Sequence, residues 1–522
     1  MIGGGHNGLV CGAYLARAGH RVLILERRSL VGGAAVTEEP WPGYRVSTAS
    51  YVVSLLQDDI VEYLQLPRFG YHVYPLDPAE FVPFPDGRYL LYWEDPERRA
   101  AEIARFSHRD ASAYERYDRA MTDLVRIVRP LLSKVPPSIH LSSWSDLREA
   151  AGLGWHVFRH RKDLARLVDL MTMSVADFLD EWFEDPSVKG ALVYGGVIGS
   201  WAGPLSPGTA YVLLHHRMGE TAGSRGGWGF VRGGMGALSN AIADAGRAAG
   251  ADILVDAEVL RVDVRGGRAV GVTLADGTSL AARTVISGVH PKTTFLDLIG
   301  ASHLPGDLER DVRSYRTRSG SAKVNLAIGE LPDFVALPGT DPGPQHPEFV
   351  ITPSVAYLER AWDDAKNGRP SAQPMIDAVI PSTLDPTLAP AGSHVMTCFV
   401  QYAPYELAAS DWDSRRDELG DRVIDTIAEY APNVKASVVH REVLTPVDLE
   451  RRFGLVGGNI FHGEMSLDQL FSFRPAPQAA SYRTPIHGLY LCGSGTHPGG
   501  GVMGAPGRNA ARVVAAELRR GR

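Results

Sequence analysis

Two hydrophobic rhythms alternate along the chain. In "HNGLVCGAYLARA", Leu9, Ala13 and Ala16 recur at helical spacing, and the buried-type run "RVLILE" follows. The pattern predicts a helix over residues 7–18, stopped by Gly19, and then a strand. Further on, residues 237–249 predict a helix after a glycine turn. The runs "DILVD", "EVLRVDVRGG", "AVGVTLADG" and "SLAARTVISG" predict strands, with a turn at Gly266-Gly267. "GLYLCG" predicts a short strand over 489–492, and "APGRNAARVVAAEL" a closing helix with Pro506 near its start. Residues 60–225 are mainly helical by pattern, as in "ASAYERYDRAMTDLVRIVRPLLSKV" and "SVADFLDEWFEDPSVKGALV". Residues 302–475 mix strand-like runs ("SAKVNLAIG", "SHVMTCFVQYAP", "KASVVHREVLTP") with one helix, and "LPGTDPGPQHPEFV" predicts a surface loop.

The first helix opens on glycines. Gly3, Gly5 and Gly8 match G-x-G-x-x-G, which permits a tight turn, a close approach to a pyrophosphate and close helix–sheet packing. Glu26 ends the next strand, 18 residues after Gly8, where a carboxylate accepts ribose hydroxyls and disfavours a 2′-phosphate. A second glycine turn, Gly32-Gly33 with Ala34, would let the chain pass close to a longer ligand; a plain turn is the alternative reading. At the far end, "GSGTHPGGGVMG" joins a strand to a helix N-terminus, an arrangement that aims backbone N–H groups at one point. Only 27 residues follow Gly495, too few for a second βαβ unit. The terminal loop, with Gly493, His497, Met503 and Gly504, is therefore expected to complete the first site.

These patterns predict an α/β fold: a Rossmann-type dinucleotide-binding domain with an inserted α+β substrate or cap domain. The nucleotide domain is expected in three pieces, residues 1–59, 226–301 and 476–522. The cap is expected in two, 60–225 and 302–475. Only Met1 and Ile2 precede the first glycine, where a central strand is expected. Neighbouring backbone groups should then be left unpaired. The expectation is a natural start a few codons upstream, with poorer folding or cofactor retention for the chain as written.

Composition narrows the classes. The chain has 522 residues, formal net charge −7 and 44% hydrophobic residues, an ordinary globular balance without a global positive field for nucleic acid. No apolar run of 18 residues or leader is visible, so the expected location is cytoplasmic. Peripheral membrane contact stays open, and a mitochondrial location would fit a eukaryotic source. The basic stretch "HVFRHRKDLAR" reads as a solvated helix face or, more sharply, as a contact for an anionic surface. Cys11, Cys398 and Cys492 have neither disulfide-relay nor metal-ligand spacing. His215-His216 lacks a third ligand nearby, so no metal is expected.

Four stretches carry a resemblance: "GGGHNGLVCGAYLARAGHRVLILERR", "SVADFLDEWFEDPSVKGAL", "GGNIFHGEMSLDQLF" and "GLYLCGSGTHPGGGVMGAPGRNAAR". Together they resemble the pyridine nucleotide-disulfide oxidoreductase domain-containing protein 2 family, within the phytoene-desaturase-like and carotene-ketolase-like FAD proteins. The resemblance implies FAD as cofactor, held in a Rossmann-type FAD-binding domain of the glutathione-reductase-like two-dinucleotide-binding kind, and places the backbone of Val259 against adenine. It implies His6, Asn7 and Arg27 beside the glycine and acid positions of the cofactor site. It also sets His462, Glu464 and Asp468 beside the flavin as candidates for chemistry; a structural role for His462 is the alternative. The redox disulfide in the family's name has no counterpart here.

A flavin transfers hydride by itself, so the protein must chiefly position a C–H bond and exclude water. The expected activity is hydride transfer from an apolar, carotenoid-, retinoid- or isoprenoid-like substrate, with "LVYGGVIGSWAGPL" as candidate tunnel wall and an unidentified electron acceptor. The alternatives are an amine-oxidase-like enzyme, with Tyr482, Phe471 and Phe473 as an aromatic cage, and a non-catalytic FAD-holding protein.

Overall fold

The computed structural model describes residues 1–139, 144–221, 224–225 and 227–520; Gly226, where the second nucleotide segment is expected to begin, and residues 521–522 lie outside them. A parallel sheet forms the centre of the nucleotide side. Its order is Ala251–Leu254, Val22–Leu25, the single residue Ile2, Val285–Ser287 and Leu489–Leu491. The first strand is thus reduced to a bridge, yet it pairs on both sides. Ile2 N donates to Ile286 O (2.9 Å), and Ile2 O accepts from Gly288 N (2.8 Å). On the other side Leu25 N donates to Met1 O (3.0 Å), and Gly3 N donates to Leu25 O (2.8 Å). The expected unpaired groups are therefore paired at these positions, because alternate residues of an extended chain serve opposite neighbours.

Helix His6–Arg17 covers this sheet between Met235–Ala248 and Ala505–Arg520. Its approach to the last helix is close: a Cβ on Gly507 would lie 2.1 Å from Asn7 O. An antiparallel meander, Val259–Arg265, Arg268–Leu274 and Ser279–Ala281, adjoins the sheet.

The cap is built on a seven-stranded sheet. Its order is Val438–Leu444, Ser321–Ile328, His394–Gln401, Met375–Val379, Glu348–Ile351, Phe81–Pro83 and Tyr89–Leu91. The last two strands come from the stretch read as mainly helical. Each has three residues, too short to show alternation in the sequence. One face of the sheet packs on Leu419, Val423 and Ile427 of helix Trp412–Ala428. The other meets a helical layer whose core includes Tyr117, Phe178 and Leu213. Within that layer the run 174–193 forms two helices, Val175–Asp180 and Pro186–Val193, rather than one. Asp185 restarts the chain by accepting from Ser187 N (2.7 Å) and Val188 N (3.2 Å), with Pro186 in the first turn. In the stretch 337–350, residues 337–344 form the expected loop at the surface, whereas Gln345 and His346 are buried and the chain runs into the strand Glu348–Ile351.

Candidate functional site: a cavity between the parallel sheet and the cap

A cavity of about 330 Å³ lies at the carboxyl ends of the parallel strands and is roofed by the cap sheet. The glycine loop and the Gly32-Gly33 turn form its floor, and two of their glycines have steric reasons to be there. A Cβ on Gly8 would sit 2.3 Å from Gly3 O, and one on Gly33 would sit 3.2 Å from Gly5 Cα. Gly5 itself has ordinary extended backbone, φ −65° and ψ 160°, so its missing side chain serves the cavity and not the turn. The two glycine turns are tied together, with Gly32 N donating to Gly4 O at 2.8 Å. The doublet is thus part of the same wall as the first loop.

Glu26 is buried at the strand end. Its Oε2 accepts from Gly4 N (2.7 Å) and its Oε1 from Arg28 N (2.9 Å). Each oxygen keeps acceptor capacity for a ribose hydroxyl. Arg27, Gly32, Gly33 and Ala34 line the cavity beside it, and Val259 lines the same end. His6 also lines it; its Nε2 has no partner, and burial pushes its pKa down to about 4. A neutral imidazole with an orphaned nitrogen, a glycine cradle and a strand-end carboxylate together suit a dinucleotide.

Asn7 ties the two ends of the chain together, its Nδ2 donating to Ser494 Oγ at 2.9 Å. The terminal loop reaches the cavity through Ser494, Gly501 and Val502, while Gly493, His497, Met503 and Gly504 stand just behind this lining. Gly493 is pressed against Gly288, Met503 packs with Leu55 and Ala505, and Gly504 packs on Ile60. His497 Nε2 is engaged with Leu131 O at 2.9 Å. The sequence located the loop but not its register, since an irregular loop has no periodicity to read.

Of the residues proposed for chemistry, His462 lines the cavity. Its ring stacks on His290 at 5.9 Å with 21° between planes, and its Nδ1 has no partner. Burial, then His6 and Arg474, push its pKa down to about 3. It is therefore neutral at physiological pH and suited to hydrogen bonding rather than to a charge role. Glu464 lies elsewhere, in ion pairs with Arg316 (3.0 Å) and Arg318 (2.6 Å), and Asp468 pairs with Arg316 (2.8 Å). These carboxylates hold the loop to the cap.

His216 Nδ1 contacts Gly195 O (3.0 Å) and Val212 O (2.9 Å), so the pair does not open toward one point. Nor do the three proposed cage aromatics surround the cavity. Tyr482 is fully buried and donates to His497 O (2.8 Å), Phe471 meets the His497 ring edge-on at 5.0 Å, and Phe473 is exposed.

Three groups escaped sequence reasoning. Arg474 is fully buried and donates to Phe461 O (2.6 Å), Glu464 O (3.2 Å) and Ser494 O (3.2 Å), clamping the loop that carries His462 onto the terminal loop. Aromatic rings of Tyr51, Trp228 and Phe399 line the cap end. Lys323 lies among them, with Nζ 3.7 Å from the Tyr51 ring centroid, and burial lowers its pKa to about 7. A single lysine inside "SAKVNLAI" was the available signal.

Comparison with known proteins agrees with this geometry. The model of "Flavin containing amine oxidoreductase" matches residues 8–325. The rat pyridine nucleotide-disulfide oxidoreductase domain-containing protein 2 is 44% identical over 99% of this chain and 93% of its own length. A limonene dehydrogenase subunit of Castellaniella defragrans is 29% identical, covering 99% of this chain and 94% of its own. Phytoene desaturase (lycopene-forming) of Paracoccus sp. is 25% identical, covering 99% and 97%. In fold, the chain is similar to putrescine oxidase bound to putrescine, with TM-score 0.59 and 15% identity over 99% of this chain and 98% of that one. The protein is a mixed α/β flavoprotein with FAD as its cofactor, and it belongs to the flavin-containing amine oxidoreductases, in the pyridine nucleotide-disulfide oxidoreductase domain-containing protein 2 family.

Proposed function

We propose that the protein is an FAD-dependent oxidoreductase that takes hydride from a C–H bond of an apolar, isoprenoid-like substrate. The carrying observation is the wall beyond the glycine cradle, where Val52, Leu55, Ile198, Trp228, Phe399 and Ile460 line the cavity. Such a wall binds hydrocarbon by burial and excludes water from the reacting bond. In this reading Gly3, Gly5 and Gly8 cradle the pyrophosphate, Glu26 receives the ribose and Val259 flanks the adenine. Bound FAD supplies the hydride acceptor. His6 and His462, held neutral, offer hydrogen bonds without adding charge to the pocket. The relatives named for limonene and phytoene support the same substrate class.

An apolar substrate resides in membranes, and the surface offers a contact for one. Helices Trp144–Arg159 and Leu164–Thr172 expose Trp155 (66%), Phe158 (55%) and Val168 (50%) among Arg159, Arg161, Lys162 and Arg166. Large apolar side chains among basic ones suit an anionic lipid interface. Among the described residues no helix is long and apolar enough to cross a membrane.

One experiment tests both parts. Holoprotein is mixed anaerobically with anionic vesicles carrying a carotenoid, a retinoid or a monoterpene, and flavin absorbance is followed. Bleaching by one of these is the expected result, slowed in W155S/F158S with vesicles but unchanged when the substrate is delivered in detergent. Bleaching by amines alone overturns the substrate class in favour of the amine-oxidase reading. No bleaching by either panel favours the non-catalytic one.

A further inference from the structure

The cap sheet carries a row of buried ionisable groups on the face toward the cavity. Strand register builds it. Lys323 and Asp377 both stand opposite Phe399, on its two sides. Glu348 pairs with Val379, two residues beyond Asp377 on the same face, and so lies diagonally beside it. Phe349 pairs with Phe81, and both rings lie in the apolar core, which brings Glu80 beside Glu348 on the opposite face. The row spans four strand spacings, about 19 Å. Tyr51 bridges the Phe399 gap: its ring stacks on Phe399 at 6.1 Å and its hydroxyl donates to Asp377 Oδ2 at 2.6 Å. At the far end Tyr194 donates to Glu80.

The two ends open on different spaces. Lys323 and Tyr51 line the first cavity. Glu80 and Tyr194 line a second one, of about 710 Å³, which meets the first at His216 and Trp228. Between them Asp377 is fully buried and Glu348 is 2% exposed, with Asp377 Oδ1, both Glu348 oxygens and Lys323 Nζ lacking hydrogen-bond partners. Three carboxyls are buried on neighbouring strands, and the charge of Asp377 disfavours charge on both Glu348 and Glu80, so protons must be shared among them.

We propose that Lys323, Tyr51, Asp377, Glu348 and Glu80 form a proton path joining the flavin cavity to the second cavity. This rests on FAD occupying the first. When a substrate is desaturated, one hydrogen leaves as hydride to the flavin and the other must leave as a proton. The Lys323 amine accepts it and passes a proton to the Tyr51 oxygen as Tyr51 gives its own to ionised Asp377; Asp377 then passes one to Glu348, Glu348 gives up its own to Glu80, and Glu80 releases one into the second cavity, leaving every group as it began. At the substrate two C–H bonds break and a C=C bond forms, the hydride carrying its electron pair to the flavin; along the path only N–H and O–H bonds form and break. Burial and then the charge of Asp377 raise Tyr51 well above the usual phenol range, so it gives up its own proton only as it receives another. Burial raises Glu348 well above the usual carboxylate range, Asp377 to about 6 and Glu80 to about 7, while Lys323 falls to about 7. The other groups facing the row are Tyr194, which bonds Glu80, and Arg217, which lowers it; Cys398 lies near Lys323.

The test needs no substrate. Bound FAD is reduced anaerobically by a photochemical pulse, and proton uptake is followed with an indicator dye. In the wild type, uptake should keep pace with loss of flavin absorbance. In E348Q and D377N, carrying the same amount of FAD, it should lag about tenfold or more. Uptake that keeps pace in both variants overturns the path. A second measurement is independent of whether the variants fold. Infrared spectra of wild-type holoprotein at pH 7 should show the carbonyl stretch of a protonated carboxyl, and its absence overturns the path as well. Failure to take up FAD would be visible before the pulse and would count against the flavin reading, leaving the infrared result to judge the carboxyl row.

Discussion

The floor and the roof of the cavity are built on opposite principles. The floor is mostly backbone: two glycine turns, strand ends and a helix N-terminus, with Glu26 as its one buried carboxylate. The roof is side chain: a lysine, tyrosine and tryptophan rings, and a row of carboxyls reaching away from the cavity. Backbone donors are cheap to present, because they are already fixed by the fold. Buried carboxyls and a buried lysine each carry a desolvation penalty, so their retention in an otherwise apolar sheet asks for a use. On the opposite face the same strands hold Val324, Leu326, Ile376, Ala378 and Val400 in an apolar core. In the proposed reading, shape and dipoles hold the cofactor, while titratable groups stand where hydrogen must move.

The largest effect should come from filling the floor. In Gly5→Val the new Cβ meets only Gly33 Cα, at 3.9 Å, so the apoprotein should fold as before. The rest of the side chain occupies the space open to a pyrophosphate. FAD affinity should fall about 100-fold or more, the order of losing one or two charge-assisted hydrogen bonds. Equilibrium dialysis with FAD, alongside thermal unfolding of the apoprotein, measures both. Unchanged affinity would show that the floor does not hold the cofactor by close backbone approach.

The same contrast governs what could be read from sequence. The floor's glycines, Glu26 and the following helix lie within one stretch of residues 3–33, so spacing alone exposed them. The roof is assembled by register. Glu80, Glu348 and Asp377 are far apart in the chain and become neighbours only when strands of three, four and five residues pair. Each strand shows one isolated charge, which locally looks like an exposed position. The pairing partner decides whether it is buried, and no short-range pattern carries that information. The terminal loop falls between these cases: its presence was legible, but Ser494, Gly501 and Val502 rather than Gly493, Met503 and Gly504 line the cavity.

A smaller effect, with a definite sign, should come from neutralising the roof. Burial raises the folded pKa of Glu348, Asp377 and Glu80 above their unfolded values. Between those values the unfolded chain binds fewer protons than the folded one, so stability falls as pH rises. The contribution is complete below about pH 4 and is lost as pH rises toward the folded values, about 6 for Asp377 and about 7 for Glu80, at about 1.4 kcal/mol per pH unit for each of these two groups. Lys323 acts in the other direction, and only above about pH 7, where its folded form has lost its proton and the unfolded form has not. E348Q should therefore match the wild type near pH 4.5 and exceed it by a margin that grows as pH rises toward neutrality. Urea unfolding across that range would show it. A constant difference at all pH values would mean that Glu348 is already ionised in the folded protein, and the roof would then lose its distinction from an ordinary salt-bridged surface.

The smallest effect should come from a side chain of the floor. Ser494→Ala removes the 2.9 Å bond from Asn7 Nδ2, one neutral hydrogen bond between the first and last segments of the chain. Alone, that loss is worth about 1 kcal/mol of stability, since the buried amide loses its partner. It should barely move FAD affinity, because the sheet already joins the same segments. Val285–Ser287 pairs with Leu489–Leu491, and Ile2 pairs with Ser287. Cys492 N also donates to Ser287 O at 2.8 Å. Against Gly5→Val, the variant separates two ideas of how the floor works. If backbone geometry does the holding, adding one side chain's bulk releases FAD and deleting one side chain's hydroxyl does not. A Ser494→Ala protein that loses FAD as readily as Gly5→Val would instead make the side-chain tie the element that keeps the terminal loop over the cavity.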